Sequence, residues 1–372
     1  MKRNISLASR FVMITGVLSI FCAGPQLAFS ASLEIHHINV QQGDSTLIIG
    51  PDGTTLLIDA GKSSKGTGEV VPYLKSLGIL PSNGLSYMLA THRDDDHLGG
   101  LDEVINAGYN VRLNIWDNGS SKTGTQISQF LKAAQKTTAR AVTKIPLGQV
   151  IPLGDGAIAR AVAVSGAVLG FGSVPGATDE NDISVAILVQ YKDFDYLTAG
   201  DLGGGQFAAD NICTGRTTSQ ANVESILAKS LMPGGGTSFL SINGLEVLDV
   251  NHHGSESSTN HEFMNLMTPR VAVINVGAGQ GSSYHHPRKD VVEKVLMARG
   301  SCITAKPALV LQTEEGSPIG SNTSKAGFSV GDVIIKTTGV GTFTVSGTGA
   351  VSQGPDERVS AGISSSASFP ID

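Results

Sequence analysis

The chain has 372 residues, of which 40% are hydrophobic and 5% aromatic, and its formal net charge is −6. This hydrophobic content supports a sizeable core, whereas so few aromatic rings argue against a protein built on base or sugar stacking. The acidic balance excludes a wide basic face, so we expect no extensive binding of duplex DNA.

The first 30 residues have the composition of a secretory signal peptide. Lys2, Arg3 and Arg10 precede or flank an apolar run, 11–21, and small residues lead up to Ser30. We predict cleavage after about Ser30, which gives a secreted or periplasmic protein with no membrane span. An uncleaved membrane anchor is the alternative. Without this segment the net charge changes from −6 to −9, because three basic and no acidic residues are lost.

Predicted strands and helices alternate along the rest of the chain. The strands are 33–40, 46–49, 54–61, 85–90, 111–116, 157–164, 183–190, 194–199, 245–250, 271–276, 333–336 and 342–345. The helices are 70–77, 101–105, 127–135, 221–231, 260–267 and 288–298. This order indicates an α/β protein in which two sheets pack face to face with helices outside.

We expect one domain, 31–350, followed by a loose Ser- and Gly-rich tail, 351–372. A polar, Gly-rich insertion at about 203–244 is predicted to form a rim or lid. Cys213 and Cys302 could pair in an oxidising compartment, but nothing in the sequence places them together.

The most informative stretch is 92–97, in which two histidines and three aspartates follow the apolar run 85–90. So many neighbouring carboxylates repel one another unless a cation balances them. A divalent metal site is therefore the favoured interpretation. A solvated acidic turn that caps the next helix is the alternative.

Metal-type side chains also follow predicted strands at three later places. These are Asp201, the pair His252 and His253, and the pair His285 and His286. One such residue is weak evidence, but four separate occurrences in one chain are hard to obtain from core packing alone. Because catalytic groups gather at strand ends, we expect these four segments to converge on one pocket.

His92, Asp94, Asp96 and His97 fit the pattern H-x-[H/D]-x-D-H, which resembles the metallo-β-lactamase superfamily. The Asp at the second position and the Leu-Gly-Gly that follows resemble most closely the soluble metallohydrolase domain of ComEC-type competence proteins. The collinear segments that carry this resemblance are 42–45, 57–61, 92–100, 181–184, 200–201, 252–255 and 286–287. The resemblance implies a four-layer αββα sandwich.

The resemblance also implies the metal ligands, which are His92, Asp94, Asp96, His97, Asp201 and His253. In such proteins the first two ligands serve one metal, the next two serve the other, and the Asp of the Gly-Asp turn bridges both. Lactamases have a further histidine between His97 and Asp201, and this chain has none. We therefore expect one or two divalent metal ions, with Zn²⁺ favoured and Mn²⁺ possible.

The expected chemistry is hydrolysis by a water molecule that the metal activates. Asp96 is the candidate for orienting that water, and His286 for protonating the leaving group or hydrogen-bonding an oxyanion. The favoured substrate is a small phosphoester, a phosphodiester or a single-stranded nucleic-acid end. Hydrolysis of a lactam, lactone or thioester is one alternative, and a non-catalytic, metal-stabilised binding module is another.

Overall fold

The computed structural model describes Met1 and the ranges 32–205, 220–278, 285–288, 291–296, 303–304, 307–316, 328–349, 352–353 and 366–372. The expected signal segment, Cys213 and Cys302 lie outside the described residues. Across the described ranges, the helices are not long and apolar enough to traverse a lipid bilayer.

Within the described ranges the chain forms two sheets, and the first has nine strands. They are β1 Leu33–His37, β2 Thr46–Ile49, β3 Thr55–Ile58, β4 Leu85–Leu89, β5 Val111–Asp117, β6 Val142–Lys144, β17 Val333–Thr337, β18 Thr342–Gly347 and β20 Ser366–Pro370. Their spatial order is β20-β18-β17-β1-β2-β3-β4-β5-β6. Every residue of β4 is buried, because one face of this strand packs against the second sheet and the other packs against helices.

The second sheet has eleven strands in the part of the chain that the structure describes. They are β7 Val150–Gly154, β8 Ala157–Val164, β9 Ala167–Val168, β10 Gly172–Ser173, β11 Ala186–Tyr191, β12 Phe194–Thr198, β13 Val247–Asp249, β14 Val271–Ile274, β15 Leu309–Gln312, β16 Phe328–Ser329 and β19 Ser352–Gln353. Their order is β10-β9-β8-β11-β12-β13-β14-β15-β16-β19, with β7 beside β8.

Helices cover the outer face of each sheet. They are α1 Val71–Ser76, α2 Asp95–Leu98, α3 Leu101–Asn106, α4 Thr125–Ala134, α5 Val223–Leu231 and α6 His261–Met267, with further helical turns at Gly66–Val70, Asn251–Gly254 and Val291–Leu296. In α4, Ile127, Phe130 and Ala134 recur at helical spacing and are buried.

Three hydrophobic clusters define the layers. One lies between the sheets and includes the stacked rings of Tyr87 and Trp116. A second lies between the first sheet and α1, α3 and α4. The third lies between the second sheet and α5, α6 and the turn Val291–Leu296. The predicted four-layer αββα sandwich is confirmed.

Parallel pairing places the chemistry-bearing loops at one end of the sandwich. In the second sheet β12, β13 and β14 are parallel neighbours, and in the first sheet β3 and β4 are. The carboxyl ends of parallel strands meet at the same edge. The residues that follow β3, β4, β12 and β13 can therefore approach one another.

The expected loose tail differs from the structure at its end. Residues Ser366–Pro370 form β20, which pairs antiparallel with β18. Ala367, Phe369 and Ile371 pack on the cluster between the sheets, and the Phe369 ring stacks on Phe343 at 5.5 Å. The high serine content predicts a coil here, but serine alternates with small or apolar residues. This alternation suits a strand that has one face toward the core.

The helical part of the insertion packs into the core, where a rim was expected. It contains α5, whose Val223, Leu227 and Leu231 are buried in the cluster on the outer face of the second sheet. The carboxylate of Glu224 is also buried and accepts hydrogen bonds from Asn251 Nδ2 at 2.6 Å and from the backbone N–H of Thr259 at 2.6 Å. The insertion therefore supports the loop that follows β13.

Candidate metal centre

The predicted segments converge. His92 Nε2 lies 3.9 Å from Asp201 Oδ2, and His253 Nε2 lies 3.6 Å from Asp201 Oδ1. These residues follow β4, β12 and β13 and are all buried. Side chains 109 and 52 residues apart in sequence thus face one another at distances close to those of shared coordination.

The helical turn α2 presents two further predicted residues to Asp201. His97 Nε2 lies 3.0 Å from Asp201 Oδ1, and Asp96 Oδ2 lies 3.7 Å from His253 Nε2. Ligand atoms of Asp96, His97 and His253 all lie within 4.8 Å of one another, as do those of His92, His97 and Asp201. Both sets have the donor types and spacing that a divalent cation requires.

Buried polar atoms at the centre of this cluster support the fit to a cation. Among the described residues, His92 Nε2, His97 Nε2, His253 Nε2 and Asp201 Oδ1 are buried and make no well-directed hydrogen bond. Buried polar atoms normally make well-directed hydrogen bonds, so four such atoms that face one another around one point without any require an explanation. A divalent cation bound there would satisfy all four.

Each imidazole is oriented through its other nitrogen. His97 Nδ1 lies 2.8 Å from Asp59 Oδ2, and Asp59 accepts hydrogen bonds from Thr91 N at 2.8 Å and Thr91 Oγ1 at 2.6 Å. His253 Nδ1 donates to the carbonyl oxygen of Asn275 at 2.8 Å. Such contacts fix the tautomer that leaves Nε2 free to bind a metal.

Asp44 also contacts the histidines of the cluster, although its position in a loop does not by itself distinguish such a role from an ordinary turn. Its Oδ1 lies 3.3 Å from His253 Nδ1, and its Oδ2 lies 3.7 Å from His97 Nδ1. The turn that carries it packs directly on α2, because Asp44 N donates to Asp96 O at 3.1 Å. A Cβ at Gly43 would lie 2.3 Å from that same oxygen, and φ there is +138°, so glycine is required.

The electrostatics of the cluster favour a bound cation. Burial opposes charge on Asp201, but the nearby histidines hold its pKa well below its usual range. Burial also opposes charge on His97 and His253, yet Asp201 and the carboxylates behind each ring raise both pKa values well above normal. Protons on two histidines therefore balance the carboxylates, and a divalent cation can replace them.

Asp94 and its neighbours form the open side of the cluster. Asp94 Oδ2 lies 3.9 Å from His92 Nε2, while its Oδ1 pairs with Lys122 Nζ. The guanidinium of Arg93 binds Asp117 at 2.6 Å. Lys122 has 43% of its side chain exposed, so one accessible positive charge stands beside the predicted ligands.

Two histidines besides the predicted ligands border the centre. The ring of His286 is buried and lies 5.9 Å from the ring of His253 and 5.4 Å from that of His252. His252 is itself closer to the centre than the sequence indicated, because its Nε2 lies 3.3 Å from Asp201 Oδ2. Both His252 and His253 have φ of +53°, a left-handed conformation that is uncommon outside glycine.

An αββα sandwich with a buried His/Asp cluster where its parallel strands end defines a class of metal-binding α/β proteins. The sequence profile of the metallo-β-lactamase superfamily matches residues 38–274, more than half of the chain. The chain therefore belongs to the metallo-β-lactamase superfamily.

Two curated relatives confirm the predicted resemblance to competence proteins. ComE operon protein 3 of Bacillus subtilis is 25% identical over 314 residues, which are 78% of this chain and 34% of that protein. Recombination protein 2 of Haemophilus influenzae is 25% identical over 266 residues, 70% of this chain and 26% of the relative. The chain thus spans about a third or less of these relatives.

Solved structures include more distant matches. The metallo-β-lactamase fold protein YhfI from Bacillus subtilis has 11% identity and a TM-score of 0.43, and the match covers 82% of this chain and 99% of YhfI. MEM-A1, a subclass B3 metallo-β-lactamase from a soil metagenome library, has 16% identity and a TM-score of 0.35, with 59% and 76% covered.

Proposed function

We propose that this protein is a secreted or periplasmic metal-dependent hydrolase that acts on phosphoesters or phosphodiesters. The observation that carries this proposal is the ring of buried, unpaired ligand atoms from His92, His97 and His253 around Asp201. The nitrogen and oxygen donors suit Zn²⁺, and the large share of carboxylates also suits Mn²⁺.

A bound divalent cation would act as a Lewis acid that lowers the pKa of water and polarises a phosphoryl oxygen. In the protein itself, Asp96 would orient the attacking water, because its carboxylate is charged. Burial opposes that charge, but the imidazole of His253, whose Nε2 lies 3.7 Å away, and the charge on His97 lower its pKa. Asp96 therefore remains an acceptor across the physiological range.

His286 would hydrogen-bond an oxygen of the substrate. Its pKa is well below the ordinary histidine value, because burial and the nearby His252 and His253 disfavour a charged ring. A neutral imidazole can donate one hydrogen bond, but it holds no extra proton to give at neutral pH. This favours stabilisation of an oxyanion over protonation of a leaving group.

Two features favour an anionic phosphoester over a neutral carbonyl compound. Lys122 places an exposed ammonium beside Asp94, where it can attract a phosphate group. The chain also departs from the lactamase pattern, because it lacks the middle histidine and its predicted ligands are richer in carboxylate oxygens. The acidic net charge of −6 limits the substrate to a small ester or a nucleic-acid end.

Export and a link to nucleic acid complete the proposal. The signal-like residues 1–30 support secretion or a periplasmic location. One relative is named for recombination, which favours testing single-stranded DNA as a substrate.

The test combines metal analysis of purified protein with a panel of substrates. We expect turnover of a chromogenic phosphodiester or a single-stranded oligonucleotide, and none of a chromogenic lactam. The Asp96→Ala variant should lose this activity, while an exposed carboxylate such as Asp52 can be changed to Ala as the matched control.

Other outcomes select the alternatives. Turnover of the lactam or a thioester without phosphoester cleavage would indicate a carbonyl hydrolase. A rise in melting temperature on metal addition, without turnover of any ester, would indicate a binding module that uses metal for stability.

A further inference from the structure

The two oxygens of Asp201 face different histidines. Oδ1 lies 3.0 Å from His97 Nε2 and 3.6 Å from His253 Nε2. Oδ2 lies 3.3 Å from His252 Nε2 and 3.9 Å from His92 Nε2. The carboxylate therefore divides the cluster into two positions for a cation, one on each side.

The position on the Oδ1 side has a full set of donors. Asp96, His97 and His253 lie close together there, and with Asp201 they offer two nitrogens and two oxygens. Four ligands of these types match the usual tetrahedral site for Zn²⁺. This side needs no further residue.

The position on the Oδ2 side lacks one nitrogen if only the predicted ligands are counted. His92 supplies a nitrogen, and Asp94 and Asp201 supply oxygens. No histidine occurs between His97 and His252 in the sequence, so the middle histidine of lactamases has no counterpart there.

His252 is held in an orientation that aims Nε2 at this position. Its Nδ1 lies 3.0 Å from Ser257 Oγ, and its backbone N–H donates to Gly200 O at 3.0 Å. Its backbone angles, φ 53° and ψ 44°, are costly for a residue with a Cβ. Strained backbone of this kind persists where the surroundings hold it, and it is frequent at functional sites.

We infer that His252 Nε2 is the nitrogen ligand of the second cation, in place of the missing middle histidine. Two adjacent histidines would then serve two different metal ions that share Asp201. The left-handed conformation of both residues brings their rings to the same carboxylate, whereas neighbours in an extended strand point to opposite faces. This inference rests on the cation binding in the proposed function, but it does not depend on the substrate.

The test is a metal titration of chelator-treated protein, followed by calorimetry and by the absorption spectrum of bound Co²⁺. Wild-type protein should bind two Co²⁺ ions per chain, and His252→Ala should bind one with nearly unchanged affinity. His261→Ala, which removes a histidine at the start of α6 outside the predicted ligand groups, should still bind two. Ser257→Ala, which removes only the contact to Nδ1, should weaken the second ion about tenfold.

Several results would overturn the inference. Retention of two ions by His252→Ala would show that His252 is not a ligand. Binding of a single ion by the wild type would show that the second site does not exist. Two ions in the wild type without hydrolysis of any ester would refute the proposed function alone. Circular dichroism of each variant distinguishes loss of an ion from loss of the fold, and Ser257→Ala keeps the test decisive if His252→Ala does not fold.

Discussion

The imidazole of His97 and the carboxylate of Asp59 meet at 2.8 Å, and both side chains are almost completely buried. Because Thr91 occupies Asp59 with two hydrogen bonds of its own, the carboxylate has little freedom to move. The Asp59 carboxylate accepts a hydrogen bond from the Nδ1–H of His97. This contact fixes Nε2 as the nitrogen that faces Asp201.

Asp59→Asn should weaken metal binding about 10- to 100-fold, as is typical when such a partner of a ligating histidine is changed. The amide can donate to Nδ1, which favours the wrong tautomer and places a proton on Nε2. Calorimetric titration with Zn²⁺ measures the effect. Asp52→Asn, on an exposed turn, is the control and should bind as the wild type does; equal affinity for both variants would contradict the assignment.

Metal affinity should rise with pH. The raised pKa values of His97 and His253 mean that both rings carry protons in the metal-free protein near neutrality, and a cation must displace them. Each proton released makes affinity increase about tenfold per pH unit. Titrations in buffers with different ionisation enthalpies give the number of protons released. Affinity that does not change between pH 6 and pH 8 would contradict this prediction.

Asp195→Asn should stabilise the protein at pH 8 but not at pH 4. Burial first, and repulsion from Glu246, raise the pKa of Asp195 to about 7. The contribution of the protonated Asp195 to the free energy of unfolding is therefore fully present below the pKa of Asp in the unfolded chain. It is lost as pH rises through about 7. Asparagine avoids this loss and still accepts the hydrogen bond from Gln190, which spans 2.8 Å.

We expect a gain on the order of 1–3 kcal/mol in the free energy of unfolding at pH 8. Urea unfolding at both pH values measures it, and Asp52→Asn on an exposed turn, which is not among the charges that raise the pKa of Asp195, is the control. An equal effect of Asp195→Asn at pH 4 and pH 8 would show that the charge is not responsible.

Glu224→Gln should cost about 1–3 kcal/mol of stability and also weaken metal binding. The buried carboxylate accepts from Asn251 Nδ2 and from the N–H groups of Thr259 and Asn260, and an amide would set a donor against one of these donors. Urea unfolding and Zn²⁺ titration provide the two measurements. Glu262→Gln removes an ion pair with the exposed ammonium of Lys229 and should cost less than about 1 kcal/mol.

Phe369→Ala should destabilise the protein by about 1–3 kcal/mol, because its partly buried ring packs on Phe343 and on the core between the sheets. Ser368→Ala changes an exposed residue of the same strand and should have little effect. Thermal unfolding compares the two variants. Equal melting temperatures would mean that β20 contributes nothing to the folded state.

The fold and the convergence of the centre could be predicted from the sequence because their signals are local. The apolar run 85–90 indicates a buried strand, and its position directly before His92 places that side chain at the strand end. The same reasoning applies to Asp201 and His253. Parallel pairing of β12 with β13 brings these two together, and the packing of the two sheets face to face brings His92 to them.

Other features depend on contacts or conformations that no local pattern encodes. The resemblance places His253 but not His252 among the expected ligands, because the left-handed conformation of both neighbours cannot be inferred from the letters His-His. Glu224 lies in α5 and accepts a hydrogen bond from the loop that follows β13. Its role depends on this tertiary contact between distant segments. The strands β6, β7 and β15 are not among the predicted strands; β15 is a short, fully buried run, which periodicity alone does not distinguish from a buried helical segment.

In the part of the chain that the structure describes, β20 is the outermost strand of the first sheet. Ser366 and Ser368 are exposed along it, and Pro370 has no backbone N–H to offer. A sheet edge of this composition is a poor template for an incoming strand from another molecule. An edge formed by Ser366–Pro370 therefore disfavours the association of folded molecules through this side of the first sheet.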